Sequence, residues 1–179
     1  EVSIGKNVFI DINVVLEGKV TIGSDSIISA GAVIRNSALS KKITVEPYSV
    51  IENSKIGTNS MIGPFAHIGP GAELASDVEI GNFVEVKRSS ISQKTKAKHL
   101  AYIGDGAIDS NVNVGAGTIF VNYDGKNKNK TKVGSNAFLG SNSSLVAPLI
   151  IGKNSMIGAG SVVTKNVPEN KLALGRSKQ

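Results

Sequence analysis

Cysteine is absent from the 179-residue sequence. Disulfides, thiolate zinc sites and a cysteine nucleophile are therefore excluded. That fits a reducing compartment, and a cytoplasmic location is the expectation. Tryptophan is absent too, and aromatic residues make up only 4%, so a core built on large rings is not available. Histidine occurs twice, as His67 and His99, too few for a three-histidine zinc enzyme of the carbonic anhydrase kind. No apolar run reaches the roughly 18 residues that a membrane-spanning helix requires, and no signal peptide is visible. P-loop, dinucleotide fingerprint and nucleophile elbow are all missing. Gly115-Ala116-Gly117 is no phosphate loop, because no helix pattern follows it. Lysine and arginine outnumber aspartate and glutamate by 20 to 14. They are scattered and lack interleaved aromatics, so no nucleic-acid partner is expected. Most lysines read as solvated surface; a phosphorylated small substrate or an anionic cofactor would use the rest.

What the sequence has instead is a period. An aliphatic followed by a small residue recurs every six positions, as in Ile4-Gly5, Ile22-Gly23 and Ile28-Ser29, again in Ile56-Gly57, Ile62-Gly63 and Ile68-Gly69, and again in Val133-Gly134, Leu139-Gly140 and Ile151-Gly152. Three such hexapeptides stack equivalent residues one coil above another. Hexapeptide repeats of this length signify a parallel β-helix. The fold expected is all-β, a left-handed triangular prism with inserted loops. The prism should occupy residues 1–166, with a tail over 167–179. Because the repeat is already running at Glu1, a fragment of a longer protein is expected.

Three interruptions are read from the spacing. A slip falls around residues 40–44. An insertion is expected within 92–100, because Val86 and Ile108 are 22 residues apart rather than 18. A second insertion falls within 122–131, because Phe120 and Val133 are 13 apart. Loops on a rigid scaffold are where binding and catalysis concentrate. His99 lies in the first, after a run of lysines whose charge would favour neutral imidazole and hence general-base chemistry; an exposed loop histidine is the equal alternative. His67 is in register and reads as structural. In the second insertion, one of Lys126, Lys128, Lys130 and Lys132 reaching a phosphate would suffice for a substrate contact.

Four motifs follow one another at a recognisable spacing: Asn82-Phe83-Val84-Glu85-Val86-Lys87, Lys98-His99-Leu100-Ala101-Tyr102-Ile103-Gly104-Asp105, Asn111-Val112-Asn113-Val114-Gly115-Ala116-Gly117-Thr118, and Asn122-Tyr123-Asp124-Gly125. Together they make the chain resemble the C-terminal acetyltransferase domain of the bacterial bifunctional N-acetylglucosamine-1-phosphate uridyltransferase/glucosamine-1-phosphate acetyltransferase. The resemblance covers nearly the whole chain. It implies acetyl transfer from acetyl-CoA to the amine of glucosamine 1-phosphate, with His99 as general base and Glu85 a candidate to orient it. It further implies Lys87, Tyr102, Asn113 and Lys128 as sugar-phosphate contacts. Ala116, Asn122, Tyr123, Ser141, Ala159 and Arg176 are implied as acetyl-CoA contacts, the Ala116 N–H serving the oxyanion. A homotrimer with sites between subunits is also implied. No metal is expected in this domain; magnesium would belong to the uridyltransferase half, which this chain lacks.

One position departs from the family. Gly69 stands before Pro70-Gly71 where the family usually carries a phosphate-gripping arginine, and His67, on the same strand face, is a speculative replacement. Another hexapeptide acyltransferase, or a non-catalytic trimerisation scaffold, are the alternatives.

Overall fold

A computed structural model describes residues 1–177. Short strands form three parallel sheets of nine, ten and nine strands, and each strand but the last pairs with those three places away in the chain; the last, Leu172–Ala173, pairs two places back. The sheets are the faces of a prism. Face I runs from Val2–Ile4 to Leu149–Ile151, face II from Phe9–Ile10 to Leu172–Ala173, and face III from Val15–Glu17 to Val162–Val163. The all-β parallel solenoid expected from the repeat is what forms.

The hexapeptide explains the section. The aliphatic of each strand points inward, and Ile22, Ile28, Ile34, Ile62, Ile68 and Ile80 are all fully buried. The small residue after it lies under the next coil: a Cβ on Gly134 would lie 2.6 Å from the Lys153 backbone nitrogen. Inward hydroxyls are spent on nearby carbonyls, as when Ser26 donates to Gly23 O at 2.8 Å. Corners need positive φ, which Asn, Asp and Gly tolerate best. At the corner between faces I and II, Asn111, Asn136, Asn154 and Asn170 all adopt it. Their amides form a row: each Nδ2 donates to the next Oδ1, at 3.2, 3.0 and 3.0 Å.

Register corrects two of the expected interruptions. No slip lies at 40–44, since Leu39, Val45 and Ile51 are inward six residues apart. The shortened steps are Ile34 to Leu39 and Ile51 to Ile56, both turning from face III to face I. Nor is 92–100 an insertion. Val86, Ile91, Ala97, Ile103 and Ile108 are all inward, so four steps, two of them one residue short, fill the distance. Lys96–His99 is an ordinary face II strand, paired with Glu79–Asn82 below and Asn113–Val114 above. Twenty-two residues can be three steps plus four or four steps minus two, and only the inward side chains choose. The one true insertion follows Ile119–Val121, where Tyr123 and Lys128 bridge antiparallel as a small hairpin. It too sits at the corner from face III to face I.

The prism also outlasts residue 166. Val167 is buried and bridges Ile151, and Leu172–Ala173 pairs with Met156–Ile157, because the inner side chains of that coil need covering. The final residues of the expected tail, 178–179, lie outside the described residues.

Hydrogen exchange distinguishes a coil from a loop at 92–100. The amides of Lys96 and Leu100, bonded to Val112 O at 2.9 Å and Asn82 O at 3.0 Å, should exchange as slowly as those of neighbouring coils. Lys126 and Asn127 in the hairpin should exchange faster. Equal, fast exchange at 96 and 127 would restore the loop.

Candidate active site

His99 ends its strand beside the corner between faces II and III. Its in-register neighbour one coil below is Asn82, whose Oδ1 lies 2.9 Å from His99 Nδ1. A carbonyl oxygen accepts, so in the neutral imidazole Nδ1 carries the proton and Nε2 keeps its lone pair. A shallow cavity of about 210 Å³ opens beside the ring, lined by Met61, Pro64, Gly81, Asn82 and Lys98 among others. Two lysines of the run before His99 are paired with a carboxylate. Lys96 Nζ lies 2.8 Å from Glu79 Oε1, and Lys98 pairs with Glu79 Oε2. Hydrogen bonds from Lys96 and then Lys98 hold the Glu79 carboxyl below the usual carboxylate range.

Within one chain Glu85 does not reach His99. It begins the next strand, on face III, where it lies 3.7 Å from Lys87 Nζ and 3.9 Å from His67 Nδ1. Asn82 takes the orienting position, and sequence reasoning missed it. The signal was the spacing of 17 residues, one short coil, between Asn82 and His99.

The remaining candidates fall into three groups. Lys87 and Tyr102 share face III with Glu85. Asn113 is exposed on face II, one coil above Lys96. Ala116, Ser141 and Ala159 occupy successive rungs of the corner between faces II and III: Asn142 N donates to Ala116 O at 2.7 Å and Gly160 N to Ser141 O at 2.8 Å. Arg176 lies over the same corner, its Cδ 3.9 Å from a Cβ built on Gly160. Among the described residues the Ala116 N–H meets no protein acceptor. These groups make an edge suited to an extended ligand, beginning just above His99. Asn122, Tyr123 and Lys128 sit elsewhere, at the far side of face III. One chain therefore brings His99 together with Asn82 and the corner, and Lys87 with Tyr102, but does not close both around one point. No group of three or more His, Cys, Asp and Glu side chains is placed to hold a metal among the described residues.

The hairpin is shaped by Asp124, whose Oδ1 accepts from the N–H groups of Lys126 at 2.8 Å and Asn127 at 2.7 Å. Its root is buried. Asn122 donates to Asp105 Oδ2, and Arg88 clasps the same carboxylate through Nε at 2.8 Å and Nη2 at 2.9 Å.

This architecture and sequence have relatives. Residues 1–36, 53–88 and 130–165 match the family described as bacterial transferase hexapeptide (six repeats). The chain belongs to this family. Over all 179 residues it is 52% identical to the bifunctional protein GlmU of Psychrobacter sp., of which it spans 39%. Over 95 residues, 53% of the chain, it is 61% identical to GlmU of Thermotoga maritima, of which that stretch spans 21%. The chain thus spans well under half the length of these relatives. LpxA, a UDP-N-acetylglucosamine acyltransferase from Bacteroides fragilis, superposes with a TM-score of 0.71 at 20% identity, over 94% of this chain and 65% of that one. A perosamine N-acetyltransferase from Caulobacter crescentus, solved in complex with CoA and GDP-perosamine, gives 0.59 at 24% identity, over 66% and 54%. Both likenesses are of fold.

Within this hexapeptide transferase, Gly69 is more than an arginine left out. Its φ is +129°, and a Cβ there would run into the Glu52 carbonyl oxygen. With no side chain at 69, the His67 ring reaches Glu52 instead, Nε2 to Oε1 at 3.2 Å. Gly69→Ala should therefore destabilise by about 1–3 kcal/mol, the usual cost of forcing a side chain into a glycine-only conformation. An unchanged melting temperature would show that the backbone accommodates one.

Arg88 first, then Asn122, holds the Asp105 carboxyl below its usual range, with Lys128 adding to the pull. A lowered folded pKa means the stabilisation is complete above about pH 4, the unfolded value, and is lost as pH falls through the lower folded one. Asp105→Asn should lower stability at pH 7 by about 3 kcal/mol, since Arg88 loses its charge partner. It should also flatten the acid limb of a melting-temperature profile below pH 4; a parallel limb would refute the assignment.

Proposed function

We propose that this chain transfers acetyl from acetyl-CoA to the amine of glucosamine 1-phosphate, as the acetyltransferase part of a longer cytoplasmic protein. The observation that carries the reading is the 52% identity to GlmU over every residue of the chain. The His99 geometry supports it. The unprotonated Nε2 takes a proton from the amino group as nitrogen attacks the thioester carbonyl. The tetrahedral oxyanion is held by the Ala116 N–H, a donor already fixed in place. Collapse breaks the C–S bond and releases CoA thiolate, which takes a proton as the imidazolium returns to neutral. Lys87, Tyr102 and Lys128 hold the sugar phosphate, Asn113 contacts the sugar, and Ser141, Ala159, Tyr123 and Arg176 line the coenzyme path.

The working form is a trimer. Face I presents Thr21, Ala38, Lys55, Glu73 and Ser90 outward. Phe9, Ile27, Met61, Phe138 and Met156 on face II, with Val15, Ile119 and Val162 on face III, are exposed. The corner between those faces is more telling. Some rungs carry Asn13, Gly31, Gly117, Asn142 and Gly160, as positive φ prefers, but Tyr48, Phe65, Phe83 and Leu100 carry large side chains at φ 49–57°. All four are exposed. The rings stack at 5.4 and 5.6 Å. Bulky residues in this conformation cost about 1–2 kcal/mol each, and no intrachain core uses them. Face II of one copy laid against face III of another covers them, and brings His99 of one chain toward Lys87 and Tyr102 of the next.

An acetyl-CoA assay with glucosamine 1-phosphate tests the chemistry. His99→Ala should lower kcat by about 10²-fold or more, and Asn82→Ala by less. A wild-type protein that acetylates other amines but not this one would make it a different hexapeptide acyltransferase; inactivity on every amine would leave a scaffold. Phe83→Asp should yield monomers by light scattering and abolish turnover. A monomeric but fully active variant would eliminate the shared site.

A further inference from the structure

Tyr102 is the one uncharged phosphate contact in this reading, and its hydroxyl sits in an unusual setting. The phenol lies over Gly104, two residues along its own strand. A Cβ at 104 would press on the Tyr102 hydroxyl and come within 2.7 Å of Asn122 Nδ2, so only glycine allows the ring to lie there. One N–H donor is within reach of the phenol oxygen, Asn122 Nδ2 at 3.5 Å. Asn122 is anchored, together with Arg88, on one carboxylate. Asp105 is 8% exposed and Asn122 7%. Asp105 takes two N–H groups from Arg88 and one from Asn122, so the four side chains form one network running from Arg88 to Tyr102.

The network has a direction. A phenol oxygen offers two lone pairs and one proton. Here Asn122 donates to a lone pair, and the Tyr102 O–H meets no protein acceptor among the described residues. Within one chain the half-buried hydroxyl keeps its proton for water or a ligand. Exchanging the anchor carboxylate for a neutral group would free Asn122 to rotate and turn its Oδ1 to the phenol, which would then donate to it.

We propose that Asp105 is a positioning residue for the anionic end of the acceptor: acting through Asn122, it turns the Tyr102 hydroxyl into a donor to a phosphate oxygen. Asn122 accordingly serves the phosphate side from within this network rather than the coenzyme. The proposal rests on the sugar-phosphate reading of this face, and its test separates the two.

The test is a double-mutant cycle with Tyr102→Phe and Asp105→Asn in the full chain, read as KM for glucosamine 1-phosphate and for acetyl-CoA, and as Kd for inorganic phosphate by calorimetry. Each single variant should raise the sugar-phosphate KM and the phosphate Kd about tenfold, roughly one hydrogen bond to a charged group. The acetyl-CoA KM should stay within about twofold of wild type. Asp105→Asn added to Tyr102→Phe should raise either constant little further, because the hydroxyl through which it acts is gone. Gly104→Ala, which displaces the ring and leaves Asp105 intact, should reproduce the Tyr102→Phe values. Full additivity, or an equal rise in both KM values, overturns the role of Asp105. Wild-type protein that binds phosphate but does not acetylate glucosamine 1-phosphate refutes the proposed reaction while the phosphate cycle still decides on Asp105. Failure of the wild type to bind phosphate overturns the donor assignment itself.

Discussion

Every strand of this molecule finds its hydrogen-bonding partners in the coil below and the coil above, and in no other place. No face can exist alone, because a coil by itself buries nothing. The backbone ladder therefore does two jobs at once. It seals a core of isoleucine, valine and alanine, and it converts a distance of 17 or 18 residues in sequence into a contact between adjacent strands roughly 4.8 Å apart. His67, Glu85, Tyr102 and Ile119 are one column on face III because the ladder puts them there. Chemistry on such a scaffold is assembled by stacking, and a functional group is placed by counting coils.

The charges obey the same economy of neighbours. Glu79 holds two lysines of one strand, and Asp105 holds an arginine and an amide from the coil below and the hairpin above. Each carboxylate neutralises cations locally, which leaves the uncommitted positive groups few and placed. Lys87, only loosely paired with Glu85 at 3.7 Å, is one of them. The net positive charge of the chain thus says little about where an anion would bind; the arrangement of carboxylates says more.

Much of this was legible in the sequence, and the failures have one physical origin. The prism follows from period and residue type alone, since only small residues fit where coils touch. The motif around His99 was legible too, but its context was not. Counting in strict sixes turns a step shortened by one residue into an apparent insertion, and so a strand was read as a loop and its lysines as free charges. Asn82 was hidden for the same reason: its relation to His99 is a contact between coils, visible only once the short step is known. Gly69 was read only as a missing side chain, whereas its φ of +129°, which a side chain strains, has no mark in the spacing. The pairing of Asp105 with Arg88 spans the same 17 residues, one short coil, and was hidden for the same reason as Asn82. What spacing does not carry is which of two corners a turn takes, and the shortened steps and the hairpin both gather at the corner from face III to face I.

The asparagine row on the opposite edge carries a further consequence. Every amide there points the same way, nitrogen toward the next oxygen, from Asn111 through Asn136 and Asn154 to Asn170. A single amide turned end for end would face nitrogen with nitrogen on one side and oxygen with oxygen on the other. The row can reverse only as a whole. Three hydrogen bonds of ordinary strength thus share one orientation across four coils, a small polar wire whose sense is a collective property and belongs to no residue in it.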